Sequence, residues 1–184
     1  MSSPTHASRL NIAAFAAEGE PLAGLTPLQN MERLAQESFG LQPDLAIKWQ
    51  AKAELRPGTG ADGDIWLHLT ASTLIPLNCQ RCMTPVDSLI EVDQWYRFVA
   101  TEEIAMAEDD EAEEDLLVLE PQFDLLAVLE DELIMALPVV PMHEACPVAP
   151  QMQSGELEAA ESAEKPNPFA LLAQLKKPPE NTKR

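Results

Sequence analysis

Three long stretches between residues 44 and 99 alternate apolar and polar side chains, and this alternation constrains the fold more than any other feature of the chain. In the first stretch, DLAIKWQAKAEL at 44–55, apolar residues recur at every second position from Leu45 to Leu55. The stretches at 65–77 and 85–99 repeat the pattern. A period of two residues is that of a β-strand with one buried face. With a glycine-rich hairpin loop at 56–64, these stretches predict an antiparallel β-meander, either a sheet or a partly open barrel.

Helices are the natural cover for the apolar face of such a sheet. The sequence from Thr26 to Gln29 matches a capping box, so a helix is predicted to begin there and to end near Gly40. A second helix is predicted from Asp124 to Leu137, because a nearly all-apolar stretch stops at the following proline. The acids at 130–132 are interpreted as a solvated helix face. The predicted class is α+β, with two or three helices covering the meander.

Acidic residues are concentrated in one part of the chain. The acidic segment, residues 101–115, contains nine acids and no base, and we expect it to be a mobile, solvated loop. The predicted globular domain covers residues 1–146. Residues 147–184 are predicted to form a flexible acidic linker and a basic C-terminal tail with a short amphipathic helix. The residues expected to contact a partner are Arg81, Asn167, Phe169, Leu172, Lys176 and Lys177.

The overall charge restricts the kinds of partner. Asp and Glu outnumber Lys and Arg by 31 to 12, which gives a formal net charge of -19. Such a surface repels phosphate polymers over a Debye length of about 8 Å, so broad docking on nucleic acid is disfavoured. It suits a basic protein partner, although solubility alone explains many acidic surfaces.

The three cysteines leave three interpretations open. Cys79-x-x-Cys82 and His143-x-x-Cys146 are two pairs of equal spacing, and zinc sites are normally built from two such pairs. The same residues could instead be buried thiols with an incidental histidine, or the first pair could be a redox pair. Met83 follows the second cysteine, where a zinc knuckle usually has glycine. The expected cofactor is therefore either none or zinc.

No constellation of catalytic residues is evident, and we expect no enzyme activity and no small-molecule substrate. The longest strongly apolar run, 133–142, is much shorter than the roughly 20 residues that cross a bilayer. No basic lead-in precedes the apolar residues near the N-terminus. We therefore expect a cytoplasmic protein without a membrane partner.

Three motifs together resemble the YceD family, the large ribosomal RNA subunit accumulation proteins of bacteria and plastids. They are LNCQRCMTPV after the hairpin, FDLLAVLEDELIMALPVVPMH, and KPNPFALLAQLK beyond the acidic linker. The resemblance extends from about Leu10 to Lys176. It implies a non-enzymatic role in the synthesis, processing or stability of 23S ribosomal RNA, and a neighbouring gene for a small zinc-ribbon protein of the large subunit.

The negative net charge is compatible with the role that the resemblance implies if the acidic domain binds a basic ribosomal protein or a pre-large-subunit particle. RNA would then compete with the acidic domain for the bound protein. The basic tail would then contact RNA or the assembling particle. The alternatives are an acidic mimic of nucleic acid, acting through residues 108–115, and a zinc or thiol protein.

Overall fold

The computed structural model describes residues 7–40, 43–58 and 63–149, and the three predicted strands lie at the centre of a five-stranded sheet. Neighbouring strands are antiparallel, except that the last strand runs parallel to the fourth. The sheet is open, which confirms the α+β class and the predicted meander. In sheet order, the strands are β1 (Leu22–Pro27), β2 (Ala46–Arg56), β3 (Asp64–Asn78), β4 (Pro85–Val99) and β5 (Asp115–Val118).

In the described part of the chain, four short helices accompany the sheet. They are α1 (Ile12–Glu18), α2 (Glu32–Glu37), α3 (Glu102–Glu108) and α4 (Leu125–Met135). Helix α1 packs on β2 and β3, and α4 packs on β3 and β4. Asn11 and Asp124 cap α1 and α4, because their side-chain oxygens accept hydrogen bonds from backbone N–H groups in the first turn.

The alternation read from the sequence corresponds to the two faces of the sheet. The apolar positions of β2, β3 and β4 form one face of the core, and α1 and α4 supply the other. Trp49 is buried, and its indole N–H donates a hydrogen bond to the Thr26 hydroxyl at 2.9 Å. Trp66 and Trp95 instead lie half-buried on the opposite face, where the Arg56 guanidinium stacks over both rings. Only Trp49 is thus a core tryptophan.

The prediction that a helix begins at Thr26 is wrong. Thr26 belongs to β1, and its hydroxyl is used by Trp49 rather than by a helix N-terminus. A 3-10 turn at Leu28–Asn30 follows, and α2 begins only at Glu32. A buried tertiary hydrogen bond thus replaces the local capping box.

The acids of α4 are not simply a solvated face. Glu130 accepts hydrogen bonds from the backbone N–H groups of Arg33 and Leu34 at 2.8 and 3.2 Å, which satisfies free donors in the first turn of α2. The Arg33 side chain also pairs with Glu130 and Asp131. This partner leaves no local signal in the sequence, because it lies almost 100 residues away.

The acidic segment also differs from the expected loop. It contains α3, whose N-cap Thr101 accepts a hydrogen bond from the Ile104 N–H, and it leads into β5. Arg97 on β4 pairs with Glu108 at 2.8 Å and with Glu114 at 2.5 Å. These ion pairs compensate two of the negative charges that repel one another. They also hold the end of α3 and the residue before β5 against β4.

No helix within the described ranges is long and apolar enough to cross a membrane. The predicted linker and basic tail begin at residue 147, and from residue 150 onwards they lie outside the described residues.

We expect Arg97→Gln to lower the free energy of unfolding at neutral pH by about 1–3 kcal/mol, because two carboxylates lose a charged hydrogen-bond donor. Burial opposes ionisation of Glu114, but the hydrogen bond and charge of Arg97, together with hydrogen bonds from backbone N–H groups, outweigh it and hold the pKa of Glu114 below its ordinary value of 4.5. This contribution is therefore present above about pH 4.5 and is lost as the pH falls through the lower, folded-state pKa. Urea unfolding at several pH values measures it.

The matched control is Lys52→Gln, which removes a more exposed pair with Glu54. Its cost should stay below about 1 kcal/mol. Equal costs for the two variants, or a cost of Arg97→Gln that does not shrink in acid, would contradict the assigned role of Arg97.

Candidate functional site

The turn between β3 and β4 carries the first cysteine pair. We call residues 79–84 the cysteine turn. Its ends are joined by a hydrogen bond from the Cys79 N–H to the Thr84 carbonyl at 3.0 Å, and the Met83 N–H donates to the Cys79 carbonyl at 2.9 Å. The Cys79 side chain is fully buried and that of Cys82 is half-buried. The long hairpin therefore ends in a tight turn that directs two thiols to one side.

Met83 has a left-handed backbone conformation, with φ of +59°, and is the one non-glycine residue with positive φ in the described part of the chain. A side chain in this conformation costs about 1–2 kcal/mol. The methionine thus occupies the conformation for which a knuckle normally uses glycine. The cysteine turn therefore forms with methionine at this position.

The second pair comes from the segment that follows α4. We call residues 138–146 the C-terminal arm. The Gln80 N–H donates a hydrogen bond to the Pro141 carbonyl at 2.9 Å, and the Arg81 guanidinium donates one to the His143 carbonyl at 2.7 Å. These two bonds hold the arm against the cysteine turn.

The four predicted ligands meet where the cysteine turn and the C-terminal arm are in contact. One ligand atom from each of the four residues lies within 4.8 Å of the other three. The Sγ atoms of Cys79 and Cys146 are 4.0 Å apart, and the Sγ atom of Cys82 is 3.5 Å from Nδ1 of His143. The structure thus brings together side chains that are separated by more than 60 residues in sequence.

The orientation of the histidine ring is fixed from outside the cluster. Nε2 of His143 lies 3.0 Å from the Pro85 carbonyl oxygen, which can only accept a hydrogen bond. Nε2 therefore carries a proton, and Nδ1 is the nitrogen that faces the sulfur atoms. A backbone carbonyl in this position is the usual outer partner of a histidine that binds a metal.

The surroundings shift the pKa values of the three thiols in different directions. Burial of the Cys79 sulfur disfavours the thiolate, but backbone hydrogen bonds, the largest from His143, outweigh it and lower the pKa of Cys79 to about 5. A hydrogen bond with the Thr84 hydroxyl lowers the pKa of Cys82. Burial raises the pKa of the Cys146 thiol to about 11. The cluster thus favours a thiolate on the cysteine turn and a neutral thiol on the arm until a cation is present.

Of the residues predicted to bind a partner, only Arg81 is described, and it is exposed and bonded to the arm through His143. Asn167, Phe169, Leu172, Lys176 and Lys177 lie outside the described residues. Sequence reasoning missed the carbonyls of Pro85 and Pro141, because a backbone acceptor leaves no signal in a sequence.

The acidic segment is a second candidate site. Arg97 pairs with Glu108 and Glu114, and within the described ranges no base forms an ion pair with the other seven acids. The side chains of Ile104 and Met106 on α3 are 39% and 75% exposed. Unpaired carboxylates beside exposed apolar side chains form a surface suited to a cationic, partly apolar partner.

The strain at Met83 can be tested directly. Met83→Gly should leave the free energy of unfolding unchanged or raise it by up to about 1 kcal/mol, because relief of the left-handed conformation offsets the flexibility that glycine adds to the unfolded chain. Chemical denaturation measures the change. The control Gln80→Gly changes an exposed residue of the same turn without positive φ and should cost about 0.5–1 kcal/mol. Equal losses for both variants would show that the turn conformation is not the one described.

Comparison with known proteins adds the family. A family model described as "Large ribosomal RNA subunit accumulation protein YceD" matches residues 67–176. The chain is also 40% identical over 162 residues to the large ribosomal RNA subunit accumulation protein YceD of Haemophilus influenzae strain Rd. That alignment covers 83% of this chain and 86% of the relative. No solved structure matches the chain. The match includes both halves of the cysteine and histidine cluster, and the chain belongs to the YceD family of large ribosomal RNA subunit accumulation proteins.

Proposed function

We propose that this protein is a non-enzymatic ribosome-biogenesis factor of the cytoplasm that supports the accumulation of 23S ribosomal RNA by binding a basic protein of the large subunit, free or in an assembly intermediate. Family membership supports the link to ribosomal RNA of the large subunit. The choice of a protein as the direct partner comes from the charge of this chain.

The observation that carries the proposal is the acidic segment. Seven of its carboxylates have no ion-pair partner among the described residues, and they extend from the start of α3 to the start of β5. A polyanion at this edge of the sheet repels the phosphates of RNA. It attracts the lysine- and arginine-rich surface that a ribosomal protein uses to bind RNA.

The same charges explain how the partner would be released. RNA carries a higher density of negative charge than a protein surface and gains free energy by releasing counterions when it binds cations. A ribosomal protein held by carboxylates is therefore transferred to ribosomal RNA once its binding site on the RNA has formed. A carrier of this kind needs no catalytic group.

Two apolar side chains add to the charge. Ile104 and Met106 are exposed on α3 beside the acids, where burying them on a partner would contribute free energy that salt does not screen. Binding should therefore weaken strongly, but not vanish, as salt is raised. The basic tail, with Lys176 and Lys177, is proposed to contact the RNA or the assembling particle.

The proposal is tested by binding the purified full-length protein to the total proteins extracted from large subunits, with mass spectrometry to identify what is retained. We expect a small basic ribosomal protein whose affinity falls steeply between low and physiological salt. Neutralising four exposed acids, with Asp109→Asn, Asp110→Asn, Glu111→Gln and Glu113→Gln, should weaken binding about 10- to 30-fold, since four exposed ion pairs contribute about 0.3–0.5 kcal/mol each.

The control variant carries the same change in net charge elsewhere, with Glu18→Gln, Glu20→Gln, Glu37→Gln and Asp44→Asn, all exposed positions near α1, α2 and β2. It should bind nearly as the parent does. Equal weakening by both variants would mean that net charge alone is responsible. The same binding experiment with a total cell lysate tests the nucleic-acid mimic, which would retain an RNA-processing enzyme in place of a ribosomal protein. Tight binding to naked ribosomal RNA would contradict the proposal.

A further inference from the structure

We propose that Cys79, Cys82, His143 and Cys146 bind one zinc ion, which joins the cysteine turn to the C-terminal arm. This inference is independent of the proposed function, because it concerns the inside of the protein rather than its partner.

The distances between the ligand atoms fit one ion. Zinc lies about 2.3 Å from a thiolate sulfur and about 2.0–2.1 Å from a histidine nitrogen, in a tetrahedral arrangement. A tetrahedron with these bond lengths places two sulfurs about 3.8 Å apart, and a sulfur and a nitrogen about 3.5 Å apart. The observed separations are 4.0 Å for Cys79 and Cys146 and 3.5 Å for Cys82 and His143. Small side-chain shifts are enough to complete the coordination shell.

The histidine already has the orientation that a metal requires. Its Nε2–H group donates to the Pro85 carbonyl, so Nδ1 is the ring nitrogen that faces the three sulfurs. Arg81 holds the carbonyl of the same residue at 2.7 Å, so the backbone of His143 is fixed as well as its ring.

The donor set selects the metal. Three thiolates and one imidazole are soft to borderline donors, which favour zinc over magnesium or calcium. All four ligand atoms lie within 4.8 Å of one another, which leaves room for one ion rather than for a larger iron–sulfur cluster. Four protein ligands leave no open position for water or substrate, so the site is structural rather than catalytic.

The position of the site explains what the ion contributes. His143 follows Cys82 by 61 residues, and these residues include β4, the acidic segment and α4. Apart from the cluster itself, three hydrogen bonds connect the arm to the cysteine turn and the start of β4 in the described part of the chain. An ion bound by the cysteine turn and the C-terminal arm would close this long loop. The free energy of zinc binding would then add to the free energy of unfolding.

A redox pair is the competing use of the thiols. The Cys79 and Cys146 sulfurs are 4.0 Å apart, about twice the length of a disulfide bond, and Cys79-x-x-Cys82 lies between strands rather than at a helix N-terminus. A disulfide would also leave one cysteine and the histidine without a role. The single-ion site uses all four side chains.

The first test is the metal content of the full-length protein purified under reducing conditions without chelator. Elemental analysis should find about one zinc per chain and little iron. Cobalt substitution should give the strong visible absorption of tetrahedral Co²⁺ with thiolate ligands, and a chelator should lower the unfolding temperature.

The variant Cys146→Ser removes a half-buried ligand near the end of the arm. It should lower zinc affinity by more than about 100-fold, beyond the loss caused by changing an outer partner. It should also abolish the effect of chelator on the unfolding temperature. Circular dichroism establishes that the sheet is retained, and His143→Gln is a second variant if Cys146→Ser does not fold. The control His68→Gln changes a histidine that stacks on Trp95 far along β3 and should retain zinc.

The inference is overturned if the reduced protein contains no zinc and takes up none from solution, or if it holds iron instead. It is also overturned if the folded Cys146→Ser variant binds zinc as tightly as the parent, or if Cys79 and Cys82 form a stable disulfide in the purified protein. None of these results would affect the binding of a basic ribosomal protein.

Discussion

The burial of one face of the β2–β3–β4 meander is the interaction on which the rest of the structure depends. Apolar residues recur at alternate positions along these strands, with Thr73, Ser88 and Gln94 as polar exceptions, and α1 and α4 cover that face. The pairing of β3 with β4 extends over fourteen residues of each strand, from Ile65 and Phe98 to Asn78 and Pro85. The cysteine turn joins β3 and β4 at one end of this long hairpin. The acidic segment follows β4 at the other end, so a single sheet positions both candidate sites.

The two candidate sites differ in their structure and in their proposed roles. The cluster of cysteines and histidine brings together parts of the chain that the sheet alone leaves apart. The acidic segment is packed on β4 through Arg97 and presents its remaining carboxylates outwards. We propose that the first site preserves the shape of the domain and that the second binds the partner. This proposed division agrees with membership of the family of large ribosomal RNA subunit accumulation proteins.

The parts of the fold that the sequence predicted are those with strong local patterns. The three central strands follow from a period of two, and α4 follows from a long apolar stretch that ends at a proline. The errors arose where a distant residue overrides a local signal. Thr26 resembles an N-cap but bonds Trp49, and the acidic segment suggests a loop until Arg97 is seen to pair with Glu108 and Glu114. The equal spacing of the two ligand pairs was visible in the sequence, but their meeting depends on the length and direction of α4.

We propose that the carboxylates of the acidic segment carry out the function of the family in the cell. The most direct measurement is the level of 23S ribosomal RNA in a bacterium that lacks its own member of the family and carries either the protein neutralised at residues 109–113 or its charge-matched control. We expect the control to restore the RNA, and we expect no restoration by the neutralised protein, although it is folded and equally abundant. Full restoration by both proteins would contradict it.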